Sequence, residues 1–336
     1  MTQTNRRVVL SRTPKGVPDP RDFEVETVPL PALADDQVLV RHEFLSLDPY
    51  QRSAIAGRHP PHDRPLNAGD MPPGETVGRV VESRSVFWES GDAVRHPGGW
   101  QEYSVASAGE LSPVDTRRAP ASAWLGVLGM PGLTAWASIV ELADVQPGQT
   151  VLVSAAAGPV GATLGQIAIQ RGARVVGIAG SDEKCRYLTS ELGFVTAVNH
   201  RHDDYLERLH AALPDGADIY HDNVGGQMLA DAFGVLKPYG IVILCGLMSA
   251  YNDASRRVDL YIGLPIVRRA VMKGLVVYDF EDRRDEFVET VLPWIIDGRM
   301  RYREDRAQGI ESVGDQFCRL MRGENLGKAL VELHPV

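Results

Sequence analysis

Two textures of hydrophobic and polar positions divide the chain. Up to about residue 122, apolar and polar residues alternate in short runs, Gln37-Val-Leu-Val-Arg-His42, Thr76-Val-Gly-Arg-Val-Val-Glu82 and Ala93-Val-Arg-His96, with prolines between them. A period of two bounded by turn formers predicts short half-buried strands, here an antiparallel, partly open β unit. From about Val151 continuous apolar runs take over: Val151-Leu-Val153, Val175-Val-Gly-Ile-Ala179, Phe194-Val-Thr-Ala-Val198, Ile219-Tyr220, Ile241-Val-Ile-Leu244 and Leu275-Val-Val-Tyr278. Helical periodicity fills the intervals, and in the first interval Val160, Leu164, Ile167 and Ala168 share one helix face. Six strands buried on both sides, with helical crossovers, predict an α/β doubly wound parallel sheet of the Rossmann type. After residue 303 a polar, helix-like stretch leads to a last strand within Gly327-Lys-Ala-Leu-Val-Glu-Leu333, expected to return to the first unit. The expected division is 1–122 with 304–336 for the β unit and 123–303 for the α/β unit.

Composition narrows the partners. The 336 residues carry 35 Lys plus Arg against 44 Asp plus Glu, a formal charge of −9. An acidic chain without a basic block argues against nucleic acid or an anionic membrane surface as the main partner. The longest apolar stretch, Ile241 to Met248, is far short of the roughly 20 residues of a membrane helix. The segment from Met1 to Arg7 has no apolar run of the signal-peptide kind, so a cytoplasmic location is expected. Cys185, Cys245 and Cys318 are odd in number and far apart, which suits reduced thiols better than a disulfide framework or a zinc knuckle.

The glycines are concentrated where chemistry is expected. Val151-Leu-Val-Ser-Ala-Ala-Ala-Gly158-Pro159-Val160-Gly161 passes from a strand into a helix and sets Ala156, Gly158 and Gly161 at the three small-residue positions of a dinucleotide fingerprint. Small residues let backbone N–H groups and a helix N-terminus meet a pyrophosphate. At the end of the second strand an NAD enzyme carries Asp or Glu for the ribose 2′-hydroxyl; Gly180-Ser181 stands there instead, with Lys184 in the first turn of the next helix. Room, hydrogen-bond donors and a cation predict NADP, and Ser181 can also cap that helix. Asp222-Asn223-Val-Gly-Gly226 ends the fourth strand and Cys245-Gly246-Leu247 the fifth, at sheet positions where such folds bind ligands. A purely structural turn is the competing account of each. Val277 and Tyr278, ending the sixth run, are further candidate contacts.

With these segments stand Ser46-Leu-Asp-Pro-Tyr-Gln-Arg52, Gly129-Met-Pro-Gly-Leu-Thr-Ala135, Tyr251-Asn252 and Asn325-Leu-Gly-Lys328. In combination, over nearly the whole chain, they resemble the medium-chain dehydrogenase/reductases, and within them the zinc-free NADPH-dependent alkenal and enone double-bond reductases that include prostaglandin and curcumin reductases. The resemblance implies a GroES-like substrate domain from the N-terminal part and C-terminal tail, an active site in the cleft between domains, an enone or enal substrate and a homodimer. It assigns Lys184 to the 2′-phosphate, Asn223 and Asn325 to the nicotinamide side, and Met130 and Thr134 to the nicotinamide pocket. Two departures stand out: Asn199-His200 replaces the family's usual Asn-Tyr, so His200 becomes a phosphate candidate, and Val267 stands where relatives often have a substrate-facing tyrosine. Zinc is not expected, because the segment Pro73-Gly-Glu-Thr-Val-Gly78 lacks the histidine of metal-dependent cousins and no cysteine precedes Cys185.

Hydride addition to the β-carbon of an enone builds charge on the carbonyl oxygen, which needs a donor. Tyr251 and Tyr50 are the candidate catalytic residues, with the cofactor's ribose hydroxyl as a third donor. Two alternatives stay open: quinone reduction, and a dinucleotide-binding sensory or structural protein without turnover. His200-x-His202 reads as a solvated pair and Cys245 as a small packed residue.

Overall fold

The computed structural model describes residues 4–59, 62–253, 255 and 260–334. The chain forms two compact units, 1–126 with 304–336 and 127–303.

In the first unit β1 (Thr4–Leu10) and β2 (Phe23–Pro29) form an antiparallel pair. A larger sheet is organised by β3 (Gln37–Ser46), which pairs antiparallel with β4 (Thr76–Ser83) and β6 (Tyr103–Ser107). The short β5 (Ala93–His96) and β7 (Ser112–Pro113) extend it beyond β4. The alternating runs do form strands, and their apolar faces, Val38, Val40, Val80, Val94 and Ala106, make one core cluster. Polar residues that interrupt the pattern are hydrogen-bonded. His42 on β3 and His96 on β5 are buried with Nε2 atoms 3.2 Å apart, and Ser104 Oγ lies 2.8 and 3.1 Å from them. Helix α1 (Tyr50–Ile55) follows β3 directly.

The second unit opens with α2 (Met130–Trp136), which runs into a π-helical turn at Ala137–Leu142. Six strands then form one parallel sheet: β8 (Thr150–Val153), β9 (Arg174–Ala179), β10 (Thr196–Asn199), β11 (Ala217–Asp222), β12 (Leu236–Leu244) and β13 (Val271–Gly274). Their order is β10-β9-β8-β11-β12-β13, so the sheet reverses direction of growth between β8 and β11. The crossovers include α3 (Pro159–Gln170), α4 (Asp182–Glu191), α5 (Tyr205–Ala212) and α6 (Gly226–Val235). Burial on both faces explains the unbroken apolar runs: Leu152, Val176, Ile178, Tyr220 and Val242 pack with Phe233 and Leu229 in one cluster.

Two strand boundaries differ from the reading of the runs. Phe194 precedes β10 and is a buried plug; a Cβ at Gly165 would stand 2.1 Å from its Cζ, so the α3 glycine makes room for the ring. The sixth run, Leu275 to Tyr278, is not the strand. Pairing with Ile241–Leu244 of β12 is taken by Val271–Gly274, and the run continues past the sheet into a 3-10 helix, Val277–Arg283. The chain then returns to the first unit through β14 (Glu304–Gln308), where a helix-like stretch was expected, followed by a helix at Val313–Met321. The last strand, β15 (Lys328–Glu332), is parallel to β14 and antiparallel to β3, as its sequence suggested.

Candidate active site

The parallel register places the carboxyl ends of β8, β9, β11 and β12 on one rim, with Val153 opposite Gly177 and His221, and Asp222 opposite Leu244. The turn from β8 to α3 lies there. Ala155 adopts a left-handed φ of 46°, Ala156 N–H donates to Ile178 O, and Gly158 caps α3 with Pro159 in its first turn. The first intrahelical bond runs from Ala162 N–H to Gly158 O, so the N–H groups of Val160 and Gly161 precede the ladder and point out of the helix start. A Cβ at Gly161 would lie 2.7 Å from Ala156 Cα, which shows why a glycine is needed for close helix-to-strand approach. Ala156 is buried, while Gly158 and Val160 are half-buried at the opening.

At the end of β9, Ser181 caps α4 by accepting from Lys184 N–H at 3.2 Å. A Cβ at Gly180 would stand 3.3 Å from His200 Nε2 and 3.7 and 3.8 Å from Arg201 Nε and Nη2. Gly180 therefore has the His200 imidazole and the Arg201 guanidinium beside it. His200 is an exposed residue whose ring is held below its ordinary pKa first by partial burial and then by the positive charges of Arg201 and Lys184. His200 and Arg201 thus stand beside Gly180 and the Lys184 charge reaches His200, an arrangement that fits a phosphate monoester. Asp182, the nearest acid in sequence, is engaged by Asn199 Nδ2 at 2.9 Å and His202 at 2.8 Å. His202 is thereby tied to a carboxylate at the protein surface. Arg201 was missed there because a loop arginine carries no periodic or motif signal; only folding brings it to Gly180.

The end of β11 is built differently. Asp222 is fully buried, and its Oδ1 accepts from Ser154 Oγ (3.1 Å), Tyr220 Oη (2.9 Å) and the N–H groups of Val224 and Gly225 (3.0 Å each). The carboxylate shapes the turn into α6, in which Gly225 and Gly226 have φ of 67° and 64°. The glycine pair therefore has a structural reason of its own. Asn223 is held by Ser154: Asn223 N–H donates to Ser154 Oγ at 2.8 Å and Nδ2 to Ser154 O at 2.7 Å. The turn after β12 presses on it, since a Cβ at Gly246 would be 2.7 Å from Asn223 O. Burial and the Asp222 charge push the half-buried Cys245 thiol up to about 12, so it stays protonated. Leu247 is exposed, and Met248–Tyr251 forms a single helical turn. Tyr251 is half-buried; burial raises its pKa, a backbone hydrogen bond from Leu247 acts in the opposite sense, and the phenol is a donor at neutral pH.

The remaining residues divide between the units. Thr134 is buried on α2, its Oγ1 donating to Met130 O at 2.8 Å, with Met130 half-buried beside it. Val277 is buried and Tyr278 is 53% exposed at the start of the 3-10 helix, beyond the end of β13. In the first unit Tyr50 stacks on His59 with ring centroids 4.8 Å apart. Asn325 is buried and donates from Nδ2 to Gly327 O. The two motifs that contain them are joined: Lys328 Nζ lies 2.7 Å from both Leu47 O and Asp48 Oδ1, Ser46 Oγ donates to Asp48, and Gln51 bonds both Asp48 N–H and Ser46 O. Among the described residues no group of three or more His, Cys, Asp or Glu side chains could hold a metal ion, and no helix is long and apolar enough to cross a membrane.

Comparison with known proteins extends this picture to both units. A family model described as the N-terminal domain of oxidoreductase matches residues 6–114, and one described as zinc-binding dehydrogenase matches residues 159–296. The chain is 37% identical to the NADPH-dependent curcumin reductase of Escherichia coli, covering 98% of this chain and 97% of that one. It is 40% identical to bovine prostaglandin reductase 1, covering 94% and 95%. A crystal structure of CurA from Vibrio vulnificus in complex with NADPH superposes with a TM-score of 0.92 at 33% identity, over 98% of this chain and all of that one. Sustained over two units of different architecture, this likeness shows that the chain belongs to the medium-chain dehydrogenase/reductases, in the branch of NADPH-dependent alkenal and enone double-bond reductases.

Proposed function

We propose that this chain uses NADPH to reduce the carbon–carbon double bond of α,β-unsaturated ketones or aldehydes, hydride adding to the β-carbon and the carbonyl remaining intact. The observation that carries the reading is the set Gly180, Ser181, Lys184, His200 and Arg201, a strand end with three basic groups where Gly-Ser stands in place of the ribose-binding carboxylate of NAD enzymes, in a chain similar along its length to a curcumin reductase. Curcumin is itself a conjugated enone. When bound, NADPH supplies the hydride; the chain's residues place it and manage charge. The N–H groups of Val160 and Gly161 face the pyrophosphate, and Lys184, His200 and Arg201 take the 2′-phosphate. Ala156, Gly158 and Pro159 line the loop, while Met130, Thr134, Asn223, Cys245, Gly246, Leu247, Val277, Tyr278 and Asn325 are the further proposed cofactor contacts. The protonated Tyr251 phenol donates to the enolate oxygen as negative charge develops there, with Tyr50 as the alternative donor. The product is the saturated carbonyl compound, its second hydrogen drawn from water.

Incubation with an enone and NADPH deuterated at the transferred position tests this. Deuterium at the β-carbon of a saturated ketone is the expected result, and an allylic alcohol labelled at its carbinol carbon overturns it. We also propose a cytoplasmic homodimer. β13 is the edge strand of the parallel sheet, and Val271, Met272, Ile262, Ile266 and Val267 lie exposed on it and on the preceding segment; a second copy would cover them. Sedimentation as a monomer at micromolar concentration would refute the dimer.

A further inference from the structure

His221 lies in β11 between Val153 and Ile243 of its neighbours, with its side chain fully buried. Its Nδ1 is 2.6 Å from Ser138 Oγ and its Nε2 is 3.1 Å from Asn223 Oδ1. Ser138 belongs to the π-helical turn that continues α2, one turn beyond Thr134, and such turns concentrate at functional sites. The ring thus connects the helix carrying Met130 and Thr134 with the loop carrying Asn223.

The hydrogen-bond directions follow from fixed partners. Ser154 O can only accept, so Asn223 must present Nδ2 to it, at 2.7 Å. Oδ1 then faces His221, whose Nε2 must carry the proton. In a neutral ring Nδ1 is left as acceptor, and the Ser138 hydroxyl donates to it. Burial holds the imidazole neutral, pushed down to about 4. Every polar atom of Ser138, His221 and the inner half of the Asn223 amide has one self-consistent role. One Nδ2 proton and one Oδ1 lone pair of Asn223 remain for a ligand.

We infer that His221 is a positioning residue for the cofactor: acting through Asn223, and locked by Ser138 as the Nε2–H tautomer, it tethers the amide oxygen and so holds the Asn223 amide rigid, in the orientation Ser154 O selects, at the nicotinamide end. This rests on the proposed NADPH-binding role of Asn223. Ser154 alone leaves the amide oxygen untethered; His221 removes that freedom. Ser138 and His221 lie outside the glycine and carboxylate motifs that mark dinucleotide sites.

The test measures direct binding to the full chain by fluorescence or calorimetry, with NADPH and with 2′,5′-ADP, which has the 2′-phosphate but no nicotinamide. His221→Phe keeps the ring volume and removes both bonds. It should weaken NADPH by about 5- to 20-fold, the range for a lost buried hydrogen bond, and leave 2′,5′-ADP within about 2-fold. His221→Gln, which retains an N–H near the Nε2 position, should restore NADPH to within about 3-fold of wild type. In an Asn223→Ala background His221→Phe should add nothing. Should His221→Phe fail to fold, Ser138→Ala gives the same pattern at about 2- to 5-fold. Equal weakening of both ligands, or an undiminished effect in the Asn223→Ala background, would show a merely structural role and overturn the assignment. Unchanged NADPH affinity in His221→Phe overturns it while leaving the proposed function standing. A wild-type chain that binds no NADPH overturns both.

Discussion

The rim of the parallel sheet presents two strand ends made by opposite means. After β9 the site is open and charged: His200 and Arg201 stand beside Gly180 and the Lys184 charge acts on His200, all at residues that are exposed or half-buried. After β11 it is closed and hydrogen-bonded: Ser138, His221, Asn223 and Ser154 form a buried chain of hydrogen bonds, and Asp222 spends its Oδ1 on the backbone of its own turn. In the proposed binding mode the first end recognises by charge, which tolerates imprecise placement because Coulomb attraction falls off slowly with distance. In the same mode the second recognises by orientation, and so each donor and acceptor has a fixed partner. The proposal thereby assigns affinity for the phosphate and placement of the reacting ring to different chemistry.

The largest effect should come from the orienting side. Tyr251→Phe keeps the ring and removes the proposed donor, so turnover should fall by about 10- to 1000-fold with NADPH affinity little changed. Steady-state kinetics with a separate binding measurement checks it, and an unchanged rate would transfer the role to Tyr50 or a cofactor hydroxyl. On the charged side, Lys184→Ala should weaken NADPH by about 10- to 100-fold and NADH hardly at all, as expected for a lost charge-assisted contact. Equal losses for the two would erase the contrast between the rims.

Acid acts on the two ends in opposite senses. The unfolded chain protonates its histidines below about pH 6.5, whereas folded His221 resists protonation down to about 4. Stability is therefore lost as pH falls between those values, by about 2 kcal/mol at pH 5 from this group. His42 and His96, lowered chiefly by burial, act in the same direction. Urea titrations at pH 7 and pH 5 should show an acid loss smaller by about that amount in His221→Phe. At the β9 end the sign for binding is reversed: His200 is held below its ordinary pKa, so its protonation adds a cation only as pH falls below the ordinary histidine range, and there NADPH affinity should hold up better in wild type than in His200→Gln, while NADH affinity should not differ between them. Arg201→Ala should have a smaller effect, weakening NADPH by about 3- to 10-fold because the guanidinium is solvent-screened. An NADPH affinity independent of both pH and Arg201 would remove these two groups from the phosphate site.

What could be read in the residues follows the same division. The doubly wound sheet was visible because parallel strands buried on both faces must be apolar throughout, and the tight turn from β8 to α3 because only small residues permit the approach of Gly161 to Ala156. Cofactor preference was legible at Gly180-Ser181 because a missing carboxylate is a local fact. Strand ends were less so: Leu275–Tyr278 is as apolar as a strand, but the length of β12 decides where pairing with Val271–Gly274 stops.

The sequence by itself determined the two architectures, the small-residue turn after β8 and the Gly-Ser end of β9, since each depends on residues adjacent along the chain or on a period within one element. Tertiary structure alone brought Arg201 to Gly180, Lys328 to Asp48 across 280 positions, and Ser138 to His221 across 83. A histidine in a strand or a serine in a helix has no distinctive local signature, and its hydrogen-bond partner is chosen by where the sheet and helices pack. Orientation at the buried end therefore belongs to the fold, while at the open end the chain itself carried Gly180-Ser181 and Lys184 and the fold added Arg201.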